Sequence, residues 1–225
     1  MIGVVIPAHD EESTLASCVT AALQLRNDPA LRGEVVRAVV VLDACSDASG
    51  RIAAAMGVET LRIDARNVGA TRALGAQHLL DAGARWLAFT DADTVVSRDW
   101  LSAQLALGAD AVCGTIGVDD WSAHPPEVGA RFVRDYVDAC GHRHIHGANL
   151  GVTREAYLGV GGFLPLASKE DIALVTALAE AGYSIAWSSL PRVTTSGRAA
   201  GRAPGGFADA IRRHREELGA IPPEA

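Results

Sequence analysis

Within its first 105 residues the chain repeats one pattern four times: a short strand-like run, a polar turn, then apolar residues at helical spacing. Ile2 to Ile6 leads through Pro7-Ala8-His9-Asp10-Glu11-Glu12 to Leu15, Val19, Ala22 and Leu23. Val35 to Leu42, almost continuous in β-branched residues, leads through Asp43-Ala44-Cys45-Ser46-Asp47 to a helix expected to reach Ala55 and stop at Gly57. Val58 to Ile63 leads through the segment Arg66 to Arg72 to Leu74, Leu79 and Leu80. Trp86 to Phe89 leads through Thr90-Asp91-Ala92-Asp93 to Trp100, Leu101 and Leu105. Successive β-α units close into a parallel sheet through right-handed crossovers, so the expected class is α/β, a Rossmann-like, mostly parallel sheet flanked by helices. With 49% hydrophobic residues, 225 residues suffice to bury a full core.

In such a sheet ligands gather outside the carboxyl ends of the strands, and the polar residues concentrate there. Aspartates two apart on an extended segment point the same way, and the oxygens of Asp91 and Asp93 suit Mg²⁺ or Mn²⁺ carrying a diphosphate. The local alternative is that Asp91 caps a turn and Asp93 opens the next helix. Asp43 sits at a strand end in the same way, as a ligand residue or as a turn aspartate. Asp10 is expected to cap the first helix with Glu11 and Glu12 in its first turn. Arg66 and Arg72 bracket another strand-to-helix turn, where planar donors suit an anionic or carbonyl-bearing ligand or simply meet solvent. No Gly-x-Gly-x-x-Gly and no Gly-Lys-Ser/Thr follows a strand, so a glycine-rich phosphate cradle is excluded.

The second half reads differently. Asp110 to Val118 is expected as one strand, and Pro125-Pro126 as the start of a helix to about Cys140. His142, His144 and His146 alternate on an extended segment and share a face, which fits either a metal site or a surface cluster. Gly161-Gly162-Phe163 forms a turn, and Ser168 is expected to cap a helix with Glu170 and Asp171 in its first turn and Ile172, Val175, Leu178 and Ala179 facing inward. Tyr183 to Trp187 and Arg192 to Thr195 read as closing strands. Ser196 to Gly206, with Arg198 and Arg202, reads as a flexible loop suited to a lid. A net charge of -7 without a basic run argues against a nucleic-acid partner. Cys18, Cys45, Cys113 and Cys140 form no Cys-x-x-Cys pair and are expected as reduced thiols of a cytoplasmic protein. The N-terminus lacks a basic leader, and no run approaches the ~18 apolar residues of a membrane span, which leaves peripheral membrane contact open.

Taken in order, these stretches resemble family-2 glycosyltransferases of the GT-A fold over roughly residues 2 to 195. Val5-Ile6-Pro7-Ala8-His9-Asp10-Glu11-Glu12 is similar to the family's opening strand and Pro-Ala-Tyr-Asn-Glu-Glu loop. Val40-Val41-Leu42-Asp43-Ala44-Cys45-Ser46-Asp47 is similar to its Val-Val-Asp-Asp-Gly-Ser-Thr-Asp segment, with Leu42 in place of the first aspartate. Asn67-Val68-Gly69 with Arg72, Asp91-Ala92-Asp93, Gly161-Gly162-Phe163 and Glu170-Asp171 complete the set. The resemblance implies a UDP- or GDP-sugar donor, a hydroxyl acceptor and Mn²⁺ or Mg²⁺ as cofactor. It places the donor at Pro7, Ala8, His9, Glu11, Asp43, Arg72, Asp91, Ala92 and Asp93, with the cation on Asp93 and Asp91. The general base of an inverting transfer becomes Asp171, with Glu170 second. His146, Asn149, Arg198 and Arg202 fall on the acceptor side or in the lid. A single domain is implied, with residues 1–118 as nucleotide half, 119–195 as a smaller mixed acceptor half, and 196–225 as loop and terminal helix. One departure bears on the metal: relatives often supply a histidine after the last strand, where this chain reads Val193-Thr194-Thr195-Ser196-Gly197. Two other classes share parts of the pattern. A nucleotidyltransferase normally carries a basic, glycine-rich first loop where this chain has Asp10-Glu11-Glu12, and a non-catalytic nucleotide-sugar binder has no use for Glu170-Asp171.

Overall fold

The computed structural model describes residues 1–198, so Arg202, the rest of the expected lid and the expected terminal helix lie outside the described residues. The four repeated units form as the sequence requires. Strands β1 (Ile2–Ala8), β2 (Val36–Asp43), β3 (Glu59–Ile63) and β4 (Trp86–Phe89) are mutually parallel, and helices α1 (Leu15–Gln24), α2 (Ser49–Ala55) and α3 (Val68–Asp81) connect them. Both faces are covered over β1, β4 and the second half of β2, which is why those stretches barely alternate, whereas the edge strand β3 alternates and has no fully buried residue. Ile2, Val4 and Ile6 of β1 pack on the side of α1 and α2, whereas Val5 packs against Ala76 and Leu79 of α3. Phe89 closes β4 fully buried, a burial that stabilises by about 1.5–3 kcal/mol.

The chain then continues through β5 (Thr94–Val96), α4 (Trp100–Ala106), β6 (Ala111–Gly114), β7 (Gly117–Val118), α5 (Pro126–Asp135), β8 (Leu150–Thr153), α6 (Arg154–Gly159), α7 (Glu170–Glu180), β9 (Ile185–Ser188) and β10 (Val193–Thr195). Strand β8 enters antiparallel between β4 and β6, giving the order β3-β2-β1-β4-β8-β6-β9. A second sheet, β5-β10-β7, stands beside it. From β1 the chain winds outward to β2 and β3 on one side and to β4 on the other. The carboxyl ends of β1 and β4 therefore flank the point where the winding reverses, which is where an open α/β sheet leaves a crevice.

Several local expectations change. Helix α1 starts at Leu15, and Asp10 does not cap it: Asp10 takes φ 52° and its carboxylate accepts from the amides of Ser46 (2.7 Å) and Asp47 (3.2 Å). The loop after β1 is thus tied to the loop after β2, and Glu12 joins the tie by accepting from Ala48 N at 2.9 Å. Residues 110–118 bend from one sheet into the other at Thr115, so they make two strands instead of one. Helix α5 ends at Asp135, because Tyr136 is already extended with ψ 123°. Ser168 makes no cap to α7: Lys169 holds that position at φ 63°, and the inward face is Glu170, Leu174, Val175 and Leu178 while Ile172 and Ala179 are exposed. Asp91 and Asp93 lie across a turn closed by Thr94 N donating to Asp91 O at 3.0 Å, and the expected helix entry is strand β5. Among the described residues no helix is long and apolar enough to cross a membrane, and all four cysteines are free.

Candidate active site

The reversal crevice is lined by carboxylates whose backbones are pinned. Ala92 is buried, Asp91 O also accepts from Cys18 Sγ at 3.3 Å, and Ser196 N donates to Asp93 O at 3.1 Å. The Asp93 side chain is 11% exposed and the Asp91 side chain 37%, so the turn shows one carboxylate to solvent and keeps the other inside. Burial is the main force raising the Asp93 carboxyl to about 6; Asp91 and Glu11 add to the rise and the Arg198 guanidinium opposes it. Arg198 Nη2 stands 3.0 Å from Asp93 Oδ2, and Arg198 Nη1 donates to both oxygens of Glu11 at 2.8 Å. Thr94 and Thr195 hydroxyls reach Asp93 Oδ1 at 3.3 and 3.4 Å. These carboxylates offer hard oxygen donors only, the set that fits Mn²⁺ or Mg²⁺, and Asp91 is open enough to share one. Asp91 and Asp93 are the residues that would hold the ion.

Arg72, expected near the ligand, is buried and built into the frame. Its Nη2 donates to Asp91 Oδ1 at 2.5 Å, its Nη1 pairs with Glu170, and its guanidinium lies 5.8 Å from the Phe163 ring centroid. It thereby joins the turn after β4 to the first residue of α7. Gly147 presses against the same guanidinium so closely that a Cβ there would overlap it. The amide of Gly147 donates to Asp171 Oδ2 at 2.8 Å, and Ile172 N donates to Asp171 Oδ1 at 2.8 Å. Asp171 is half-buried and Glu170 buried. Arg66, which shared the turn with Arg72 in sequence, is exposed.

Asp43 is also structural in its contacts. Its Oδ1 accepts from the amides of Ala65 and Arg66, and its Oδ2 from Asn67 N and the Thr71 hydroxyl, at 2.8–2.9 Å. Burial alone raises such a carboxyl, but these four donors together outweigh it and hold Asp43 below the ordinary aspartate range. The Nδ1–H of His9 donates to the Asp43 carbonyl at 2.6 Å, which sets the loop after β1 against the end of β2. Pro7 and Ala8 continue β1 in register with Val41 and Leu42.

The remaining expectations divide. Asn149 is fully buried, accepting from Trp100 Nε1 (2.8 Å) and donating to the carbonyls of Thr115 (2.7 Å) and Pro191 (3.0 Å), so it braces the two sheets and does not face an acceptor. His146 precedes Gly147 and meets the Tyr136 hydroxyl at 2.9 Å; burial, then repulsion from His144 and His142, pushes it down to about 3, leaving it neutral. The three histidines do not converge on a metal: their rings stack at centroid spacings of 5.4 and 5.8 Å. Among the described residues the group with mutually close ligand atoms is Asp10, Cys45 and Asp47, where Asp10 already anchors two amides. Gly147, Tyr136 and Thr195 carry no sequence signal of their own, because each acts through contacts far apart in the chain.

A mostly parallel sheet whose reversal crevice is acidic at the turn after the fourth strand, with a second carboxylate pair at the start of a helix, has the architecture of the GT-A fold. The family model described as glycosyl transferase family 2 matches residues 3–158. No curated protein sequence matches the chain. Among solved structures the chain is similar to S. aureus TarS (residues 1–349) in complex with UDP-GlcNAc, at 13% identity and TM-score 0.68, covering 99% of this chain and 68% of that one. It is similar to the mannosyltransferase PcManGT from Pyrobaculum calidifontis in complex with GDP-Man and Mn²⁺, at 19% identity and TM-score 0.63, covering 100% and 65%. A third is glucosyl-3-phosphoglycerate synthase from Mycobacterium tuberculosis with Mn²⁺, UDP and phosphoglyceric acid, at 18% identity and TM-score 0.62, covering 99% and 79%. The chain belongs to glycosyl transferase family 2, and it is a glycosyltransferase.

Proposed function

We propose that this enzyme transfers a sugar from a UDP- or GDP-sugar to a hydroxyl acceptor with inversion at the anomeric carbon, and that Asp171 is its general base. The observation that carries the reading is the Arg72 strut: one buried guanidinium ties the turn holding Asp91 to the helix presenting Asp171, so the leaving-group end and the base end form one rigid frame. The nucleoside lies between the loop from Pro7 to Glu11 and the end of β2, where Asp43 holds the wall at Ala65 to Asn67. The two halves, residues 1–118 and 119–195, take donor and acceptor respectively. Asp91 and Asp93 would hold a divalent cation, which would supply positive charge where the departing nucleoside diphosphate gains negative charge.

Asp171 takes the proton of the acceptor hydroxyl. The acceptor oxygen bonds to the anomeric carbon from the face opposite the diphosphate, and the electron pair of the breaking C–O bond leaves on the phosphate. Glu170 is less suited to the proton transfer, because Arg72 already pairs with it in the interior. Amides of Gly147 and Ile172 orient the Asp171 carboxylate without adding charge. A panel of nucleotide sugars with Mn²⁺ or Mg²⁺ tests the reading. Slow donor hydrolysis and a product of inverted anomeric configuration by NMR are expected. Pyrophosphate-dependent breakdown identifies a nucleotidyltransferase instead, binding without turnover identifies a non-catalytic binder, and a retained configuration removes Asp171 from the role of base.

A further inference from the structure

The carboxylates of the crevice form two linked ion-pair runs: Glu170 to Arg72 to Asp91, and Asp93 to Arg198 to Glu11. Four carboxylates against two guanidinium groups leave two negative charges, which one divalent cation would neutralise. The two arginines are not equivalent. Arg72 is locked beneath Phe163 and Gly147, whereas the Arg198 side chain is 28% exposed, and every carboxylate oxygen it holds is one that a hard cation also takes. Its position is nonetheless built. His124 Nε2–H donates to the Gly197 carbonyl at 2.7 Å, and a Cβ on Gly197 would overlap the Asp120 carbonyl, so the residue before Arg198 is fixed from the loop that follows β7. The Asp93 oxygen not already met by threonine hydroxyls is Oδ2, and Arg198 stands on it.

We infer that Arg198 is the resident counter-ion of the donor site, that a divalent cation displaces it from Glu11 and Asp93, and that the released guanidinium becomes a ligand of the donor diphosphate. The inference rests on the donor-site reading above. A guanidinium matches phosphate as well as it matches carboxylate, so it exchanges one set of oxygens for another. A cation seated on Asp93 both removes the partner of Arg198 and repels its charge, while the arriving diphosphate attracts it. The ion and the arginine thus exclude each other in the absence of nucleotide and act together in its presence.

The test measures Mn²⁺ binding by electron paramagnetic resonance, first with the metal alone and then with UDP or GDP, for the wild type, Arg198→Ala and Arg198→Gln. The glutamine variant keeps an N–H for Glu11 without the charge, and a wild-type circular dichroism spectrum and melting curve for either variant shows that the fold survives. Both variants are expected to bind Mn²⁺ alone about tenfold more tightly or better, since a neighbouring positive charge has gone. With saturating Mn²⁺ both are expected to bind the nucleoside diphosphate about tenfold more weakly, the scale of one lost charged hydrogen-bonding partner. Unchanged or weaker binding of Mn²⁺ alone overturns the displacement, and unchanged nucleotide binding overturns the capture. If Mn²⁺ binds none of the proteins with or without nucleotide, the metal reading fails along with this one. Nucleotide-supported Mn²⁺ binding that is equal in all three overturns only the role given to Arg198.

Discussion

Replacing Asp43 with asparagine separates a residue that touches the nucleotide from one that builds the wall around it. Its carboxylate meets four donors, two on each oxygen. Asparagine offers one acceptor oxygen and one NH₂, so in its best orientation the oxygen keeps the amides of Ala65 and Arg66. The Thr71 hydroxyl can turn to accept from the NH₂, but Asn67 N–H is left facing another donor. An unmet buried N–H costs about 1–3 kcal/mol, and the surviving bonds lose their charge assistance, for a total of roughly 3–5 kcal/mol. In a chain of this size that lowers the melting temperature by about 10 °C. Urea titration and thermal melts of Asp43→Asn at pH 7 measure it. The pH dependence is fixed in sign: the folded carboxyl titrates below its ordinary 3.8, so its stabilisation is present above that value and is lost as pH falls through the folded one. The gap between wild type and variant must therefore narrow below about pH 4. Affinity for the donor and for the free nucleoside diphosphate should fall together, because the wall at residues 65–67 serves both. A loss under ~1 kcal/mol, the size of one ordinary hydrogen bond, would refute the structural role.

Asp93→Ala should abolish Mn²⁺-supported binding of a nucleoside diphosphate. In the wild type that binding should strengthen from pH 5 to pH 7 about a midpoint near 6, with proton release in calorimetry, because the buried Asp93 carboxyl keeps its proton below that value; binding that is flat across this range contradicts the assignment. Since this carboxyl titrates above its unfolded value, it also makes stability decline as pH rises from about 4 to 6 in the metal-free protein. Asp171→Asn should lower transfer by at least ~10²-fold with donor affinity nearly intact, as its amide oxygen still accepts from Gly147, and wild-type transfer excludes it as base. Gly69→Ala places a Cβ against the Leu164 carbonyl and 2.8 Å from Leu166 N, and should destabilise by roughly 1–3 kcal/mol in a urea titration by pushing the 164–166 loop off α3. An unchanged transition midpoint contradicts that packing.

Periodicity and strand-end chemistry determined the class of this protein. Four strand-like runs with helical segments between them leave few arrangements other than a parallel sheet, and β1 to β4 take them within a few residues of the expected bounds. The carboxylates at those strand ends were legible for the same reason, since a strand that is buried on both faces can present charge only at its tip. What the sequence could not decide is which partner each charge meets. Arg66 and Arg72 read alike in the chain, yet one is exposed and the other is sealed between Asp91 and Glu170, because α3 turns a buried face to α7. Asp10 reads as a cap for the helix after it, and instead ties down a loop thirty-six residues away. Asn149 reads as a polar residue near an acceptor, and instead braces two sheets. In each case the local rule describes one helix or turn in isolation, whereas buried polar groups must find their partners across the whole fold, and that pairing is settled only when the sheets and helices have packed.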